Sequence, residues 1–493
     1  MPLKLDPKLT PQRLLPRINR LFELSAVKIL SLERSWNPAH GTPVFTIRGK
    51  YTSRGWTEWT QGFQFGSALL QFDATGDTTF LDLGRQLTVE RMASHVSHIG
   101  VHDHGFNNIS TYGNLWRLMR EGKILHHDWE RDFYELALKI SGAVQAARWT
   151  STAGAGYIYS FNGPHSLFVD SIRSLRSLVV AHQLGHVLMG ERDQRISLLQ
   201  RSLQHALTTA QFSIYYGQGR DVYDLRGRTA HECIFNLNDG SYRCPNSQQG
   251  YSPFSTWTRG LAWAILGFAE QLEFLQSLSD AELGSALPGN SSTKATAANI
   301  RSMLLRAATA TADFYLANSC TDGIPVWDTG APNLHRLGNY LNRPADPYNK
   351  WEPVDSSAAA IAAQGLLRLG NYLLSHTRTA RYAGVLPKQV AQASKPASSY
   401  RQAALTIAHT LFAAPYLSTH PKHQGLLLHS VYHRPNSWDY IAPGQRVPNG
   451  ESSLWGDYHA RELALLLLRE ARSAPYLTFF AAKSTQGPTG IAG

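Results

Sequence analysis

The chain has 493 residues, 47 Lys and Arg against 36 Asp and Glu for a net charge of +11, and three cysteines. A hydrophobic share of 43% with 11% aromatics is ample for a large core and excludes wholesale disorder. Three cysteines exclude a disulfide scaffold, and no apolar stretch nears the roughly 18 residues that span a bilayer.

The start, MPLKLDPKLTPQRLLPRINRLFELS, is interrupted by prolines and charges and has no apolar signal core. The sequence therefore reads as a cytoplasmic protein. Its positive excess points to an anionic partner. Nucleic-acid binders cluster their basic residues. Here Arg13, Arg17 and Arg20, and Arg378, Arg381, Lys388, Lys395 and Arg401, read as solvated surface. Neither nucleic acid nor membrane is expected as a partner.

Along the chain, apolar residues recur at three- and four-residue spacings and predict helices. These cover 68–72 and 80–89, 133–147, 172–184, 261–275, 300–316, 358–374, 400–412 and 460–468. Short β-like pieces are 44–47, 157–161, 229–235 and 425–431. Small, polar and turn residues mark 285–297 and 375–399 as exposed loops. Residues 484–493 read as a disordered tail. No linker divides the rest, so 1–483 is expected to form one all-α domain.

Six helix starts are built alike, each with a polar or aromatic signature followed by small residues. They begin at Trp59-Thr-Gln-Gly-Phe, His102-Asp-His-Gly-Phe, Val169-Asp-Ser, Trp257-Thr-Arg-Gly, Val354-Asp-Ser-Ser and Trp455-Gly-Asp-Tyr. Their irregular intervals rule out a short solenoid repeat. They suit six helical hairpins whose inner helices all begin on one face. Such a ring gathers Asp, His, Arg and Trp around a central cavity.

Asp103 and Asp170 each stand just before a helical stretch. Either could be an N-cap, whose carboxylate accepts the first free N–H groups. Either could equally be a carboxylate at a cavity mouth. The apolar flanks of Asp170 favour a raised pKa, as a general acid requires. His182 and His186 have i, i+4 spacing, but Gln183 stands where a zincin needs Glu, and no third ligand appears. No metal or cofactor is expected. Cys233 and Cys244 lack a C-x-x-C partner and read as free thiols. Trp59, Trp257, Trp263 and Trp455 are core packing or sugar platforms. Arg259, four residues before Trp263, makes a surface salt bridge or grips a carboxylate with its planar fork.

Together these signatures resemble glycoside hydrolase family 88, the unsaturated glucuronyl hydrolases. The resemblance runs from about Trp59 to about Leu468. It rests on the starts above together with Phe168-Val-Asp170, Gln249-Gly-Tyr-Ser and Ser255-Thr-Trp-Thr-Arg-Gly-Leu-Ala-Trp263. It implies an (α/α)6 barrel. It also implies a substrate, an oligosaccharide left by a polysaccharide lyase with a 4,5-unsaturated uronic acid at its non-reducing end. The implied reaction hydrates the vinyl ether between C4 and C5, after which the hemiketal opens and the glycosidic bond is lost. By resemblance Asp170 is the acid/base and Asp103 the second essential carboxylate. Two carboxylates in one site would then favour a protonated Asp170. His102, His231, Gln249, Arg259, Trp263 and Trp59 match substrate-binding positions. The chain departs from the family at His104, Pro253-Phe254 and Leu261, which leaves room for a sister subgroup acting on another uronide. Two further readings stay open: a hydrolase of saturated glycosides on the same barrel, and a non-catalytic sugar-binding barrel.

Overall fold

The computed structural model describes residues 2–55, 58–287, 293–382 and 387–480. Among them, six inner helices form a ring: Gln61–Thr75, His104–Arg120 with a π turn at Ile109–Gly113, Ser171–Gln183 in two pieces, Thr258–Leu275, Ser356–Tyr382 and Leu454–Ala471. Each packs on the next, and the last returns to Gln61–Thr75. Five outer helices follow their inner partners: Thr78–Arg91, Asp128–Ala147, Leu198–Phe212, Thr293–Asn318 and Pro387–Leu411. The sixth, Pro11–Ser35, comes from the start of the chain and packs against Leu454–Ala471. The fold is the expected all-α (α/α)6 barrel. All six signatures stand at the starts of inner helices.

Over most of their described length the inner helices are buried on every side, and the sequence shows why. Thr258–Leu275 is apolar or small on every face, and Ala358 to Ala363 are fully buried. Motif glycines let neighbouring starts touch. A Cβ on Gly62 would lie 2.4 Å from Asn107 backbone, and one on Gly105 would lie 2.2 Å from the Ser174 carbonyl. Polar residues inside this ring are paired. Arg173 binds Glu270 and, at 2.9 Å, Glu462; Arg368 binds Glu273 at 2.7 Å. Further round, Asp73 meets Arg117 at 2.7 Å, Arg469 at 2.6 Å and Lys123.

Several elements differ from the sequence reading, among them the outer helix Leu198–Phe212, which was not among the helices read from periodicity. Pro11–Ser35 has no counterpart among the helices read from periodicity. It starts on Thr10, whose hydroxyl accepts from Arg13 N at 3.2 Å, with Pro11 in the first turn, where no N–H is missed. Residues 375–382 and 387–399, expected as loop, are helical. They are rich in Ala, Gln, Lys and Arg, and these helix formers extend the fifth hairpin. Residues 425–431 form only isolated bridges, Leu417 with Leu427 and Leu428 with Ser452. Of the loop expected over 285–297, residues 293–297 begin a helix and 288–292 lie outside the described residues, as does the tail 484–493. Among the described residues no helix is long and apolar enough to cross a membrane.

A small antiparallel sheet sits at the ring mouth. Ser166–Phe168 pairs with Glu232–Phe235, which pairs with Tyr242–Asn246. Val169 N donates to the His231 carbonyl at 2.9 Å. This pairing delivers Asp170 and His231 side by side from distant parts of the chain.

Candidate active site

The inner-helix starts surround a cavity of about 800 Å³, counting space open to solvent. At its base lie His102, Asp103 and Asp170, all buried. His102 Nε2 is 3.2 Å from Asp170 Oδ1 and 3.8 Å from Asp103 Oδ1. Neither aspartate caps its helix through the side chain. The N-cap reading is therefore excluded for both carboxylates.

The surroundings pull the two acids apart. Burial raises Asp103 above the usual carboxylate range, and the charge of Asp170 adds to this. Burial also acts on Asp170, but the hydrogen bond and charge of His102, with His231 and Arg259 nearby, outweigh it and hold Asp170 low. Burial disfavours the His102 imidazolium, yet the two carboxylates overcome that and raise it. Asp103 is thus the more readily protonated of the two acids, and His102 pairs with Asp170. The sequence expectation placed the raised pKa on Asp170. The order is reversed because His102 donates to Asp170, not to Asp103.

His231 stands behind the wall, its ring 4.5 Å from Phe168 and 4.7 Å from Trp257. Its Nδ1 accepts from Gln248 N at 3.1 Å, so the neutral ring carries its proton on Nε2. Burial lowers its pKa to about 4, which keeps it neutral. Among the described residues neither His231 Nε2 nor His102 Nδ1 has a partner, although both are buried.

Arg259 lines the cavity but is already engaged. It lies between Trp257 and Trp455, 4.7 Å from each ring. Its Nη1 meets Asp355 at 3.3 Å and the Val431 carbonyl. Its Nη2 donates to Gln249 Oε1 at 2.9 Å and to the Tyr432 carbonyl at 2.7 Å. All its terminal N–H groups are thereby occupied. Arg259 orients Gln249 and the 431–432 backbone and offers the cavity a positive field, without the free fork expected from sequence.

Aromatic rings form the walls. Trp59 stacks on Trp455 at 5.1 Å, and Trp263 packs on Phe106 at 4.9 Å. Sequence reasoning missed the contribution of 431–439, which brings Tyr432, His433, Asn436 and Trp438 to the cavity. Asp439 shapes that loop by accepting from Tyr432 N at 2.6 Å and His433 N at 3.0 Å. Its dense run of aromatic and polar residues after 425–431 was the available signal. Phe161, Gln248 and Trp257 also line the cavity. His182 and His186 lie away from it; His182 faces Glu282 at 3.4 Å. No metal-ligating group of three or more side chains occurs among the described residues.

No family model matches the chain. It is 24% identical over 325 residues to an unsaturated glucuronyl hydrolase of Formosa agariphila, a match covering 65% of this chain and 65% of that protein. The chain thus spans a little under two thirds of that relative. It is 26% identical over 331 residues to an unsaturated glucuronyl hydrolase of a Bacillus species, covering 66% of this chain and 70% of the relative. A crystal structure of an unsaturated glucuronyl hydrolase specific for heparin shares the fold, with a TM-score of 0.66 at 18% identity, over 93% of this chain and 98% of that one. The chain is thus similar in sequence to unsaturated glucuronyl hydrolases and shares the fold of one. These relatives carry the activity that the motifs of this sequence resemble.

Proposed function

We propose that the protein is a glycoside hydrolase that releases a 4,5-unsaturated uronic acid from the non-reducing end of lyase-generated oligosaccharides. The observation that carries this reading is one histidine bridging two buried carboxylates at the base of an aromatic cavity. Hydration of a vinyl ether needs a proton at C4 and an activated water at C5. In this reading Asp170 supplies the proton and then takes one from the water. Asp103 and His102 hold it in place and share the charge. An anionic uronate entering the cavity excludes water and adds a like charge, and both effects raise Asp170. The proton thus reaches Asp170 with the substrate, although His102 keeps the empty site ionised. The indole of Trp59 and the edge of Trp263 offer the apolar surface on which a pyranose packs. Gln249 and His102 are the proposed direct polar contacts, with Arg259 acting through Gln249 and His231, behind the wall, acting through Asp170.

One domain over residues 1–483 belongs to the same proposal, supported by a single main core that runs through all six hairpins. So does a cytoplasmic location, with which the free Cys233, Cys244 and Cys320 accord.

The test is incubation of purified protein with unsaturated disaccharides in deuterated water. Loss of the ultraviolet absorbance of the double bond, with deuterium at C4 of the product, is expected. Release of a sugar without label at C4 would instead support hydrolysis of saturated glycosides. Binding without turnover across a broad panel would support a sugar-binding barrel.

A further inference from the structure

The outer helix Asp128–Ala147 carries a feature that the cavity does not explain. Its residues Trp129, Phe133, Leu136 and Ile140 are 70%, 36%, 55% and 37% exposed. At 3.6 residues per turn they fall within about 60° of one another, on a strip beside the face that packs on the barrel. Their spacing of four, three and four is the a/d spacing of a coiled-coil seam, here turned toward solvent. A groove between this helix and Thr78–Arg91 continues the strip and is lined by Val89, Glu90, Arg85 and Trp129. A monomer gains nothing from a row of four large apolar side chains in water, and such a strip marks an interaction surface.

The strip is self-complementary. Laid antiparallel on a second copy, with the two-fold axis between Phe133 and Leu136, it puts Trp129 against Ile140 of the second copy and Phe133 against Leu136 of the second copy. Asp132 lies at one edge of the seam and Lys139 one heptad on, at the same edge. Antiparallel packing sets that edge against itself, so Asp132 meets Lys139 of the second copy, and Lys139 meets Asp132 of the second copy. Both side chains reach solvent, at 66% and 30% exposure, and their present partners, Arg131 and Glu135, are weak surface ion pairs of the same helix. Closed two-fold contacts of this kind are isologous, each pair occurring twice.

We propose that the protein forms a two-fold homodimer through the Asp128–Ala147 helix. The interface lies on the outer ring and leaves the cavity mouth open. It is independent of the proposed activity.

The experiment is sedimentation of the full chain from about 0.1 to 100 µM, a range that resolves ordinary dimer affinities. Wild type should be dimeric at the upper end. Leu136→Asp, whose side chain faces water in the monomer and so leaves folding intact, should weaken association at least about tenfold. Asp132→Lys places like charges opposite each other twice and should weaken it about tenfold, whereas Asp132→Lys combined with Lys139→Asp should restore it. A wild type that stays monomeric throughout overturns the proposal, as does a dimer insensitive to Leu136→Asp or a charge exchange that fails to rescue. Dimerisation that appears only after removal of 481–493 also overturns it, and assigns the strip to the chain's own end.

Discussion

The two ends of the inner helices use buried charge in opposite ways. At their starts, Asp103, His102 and Asp170 share too few partners, and the pKa values of the two acids are pulled in opposite directions. Several turns further along, every carboxylate meets a guanidinium. Burial alone would raise Glu462, but Arg173 and Arg176 bring it down to about 2. Asp73 is held low in the same way by Arg117, Arg469 and Lys123 against its burial. The difference teaches that burial does not by itself make a reactive acid. A carboxylate becomes chemically poised where the counter-charge is a titratable histidine, and inert where it is a permanent arginine.

The sharpest way to break this contrast is at the mouth. Asp170→Asn should lower kcat by a factor of about 10³ or more, while the melting temperature stays close to wild type. A fully active variant would sink the assignment of Asp170. At the other end the effects should exchange places. Glu270→Gln removes one of the two carboxylates that bind Arg173 and should cost about 3 kcal/mol of stability, read by denaturant unfolding. Any loss of turnover there should track the unfolded fraction.

Between the extremes lies Asp355. It accepts from Ser357 N at 3.0 Å and from Val431 N at 3.4 Å, and it meets Arg259. Asp355→Asn should loosen Arg259 and the cavity loop, lowering kcat/KM about tenfold to a hundredfold, mostly through KM. A smaller effect is expected in pH dependence. His102 holds Asp170 low, so His102→Gln should move the Asp170 limb of the kcat/KM profile to higher pH. A limb that stays in place would mean His102 does not set that ionisation. For stability the sign runs the other way at the far end. Glu462, lowered from 4.5 to about 2, contributes stability above about pH 4.5 that is lost as pH falls toward 2. Replacing Glu462 with Gln should flatten acid unfolding in that window. The smallest effect is expected for the exposed pair Arg20–Glu23, where Arg20→Ala should change stability by less than about 0.5 kcal/mol.

The six inner starts were legible because each motif carries its own packing reason. Gly62 and Gly105 permit the close approach, and Asp, His and Trp stand at fixed places beside them. The outer helix Pro11–Ser35 was not, since its prolines obscure a periodicity whose partner lies at the other end of the chain. The charged interior was illegible for a related reason. Arg173 looks like surface until Glu270 and Glu462, 97 and 289 residues away, are brought to it. Of the site, Asp103, Asp170 and His102 came from local motifs. The 431–439 loop did not, because Asp439 sets its shape through backbone N–H groups that no periodicity records. The occupancy of Arg259 was hidden as well, since two of its partners are carbonyls 172 and 173 residues on.

The first helix of the chain closes the ring against the last one. Arg461 Nε donates to Ser25 Oγ at 2.8 Å across 436 residues of sequence. At a ribosomal rate of about 5–20 residues per second, Pro11–Ser35 therefore waits roughly 20–90 seconds before its partner is made. Through that time Leu14, Ile18, Leu21 and Phe22, all buried in the finished ring, have Gln61–Thr75 beside them but lack the 454–471 helix that completes their cover. Until then the apolar face of this helix is open to aggregation and to chaperone capture, and the ring closes only when translation reaches the 454–471 helix.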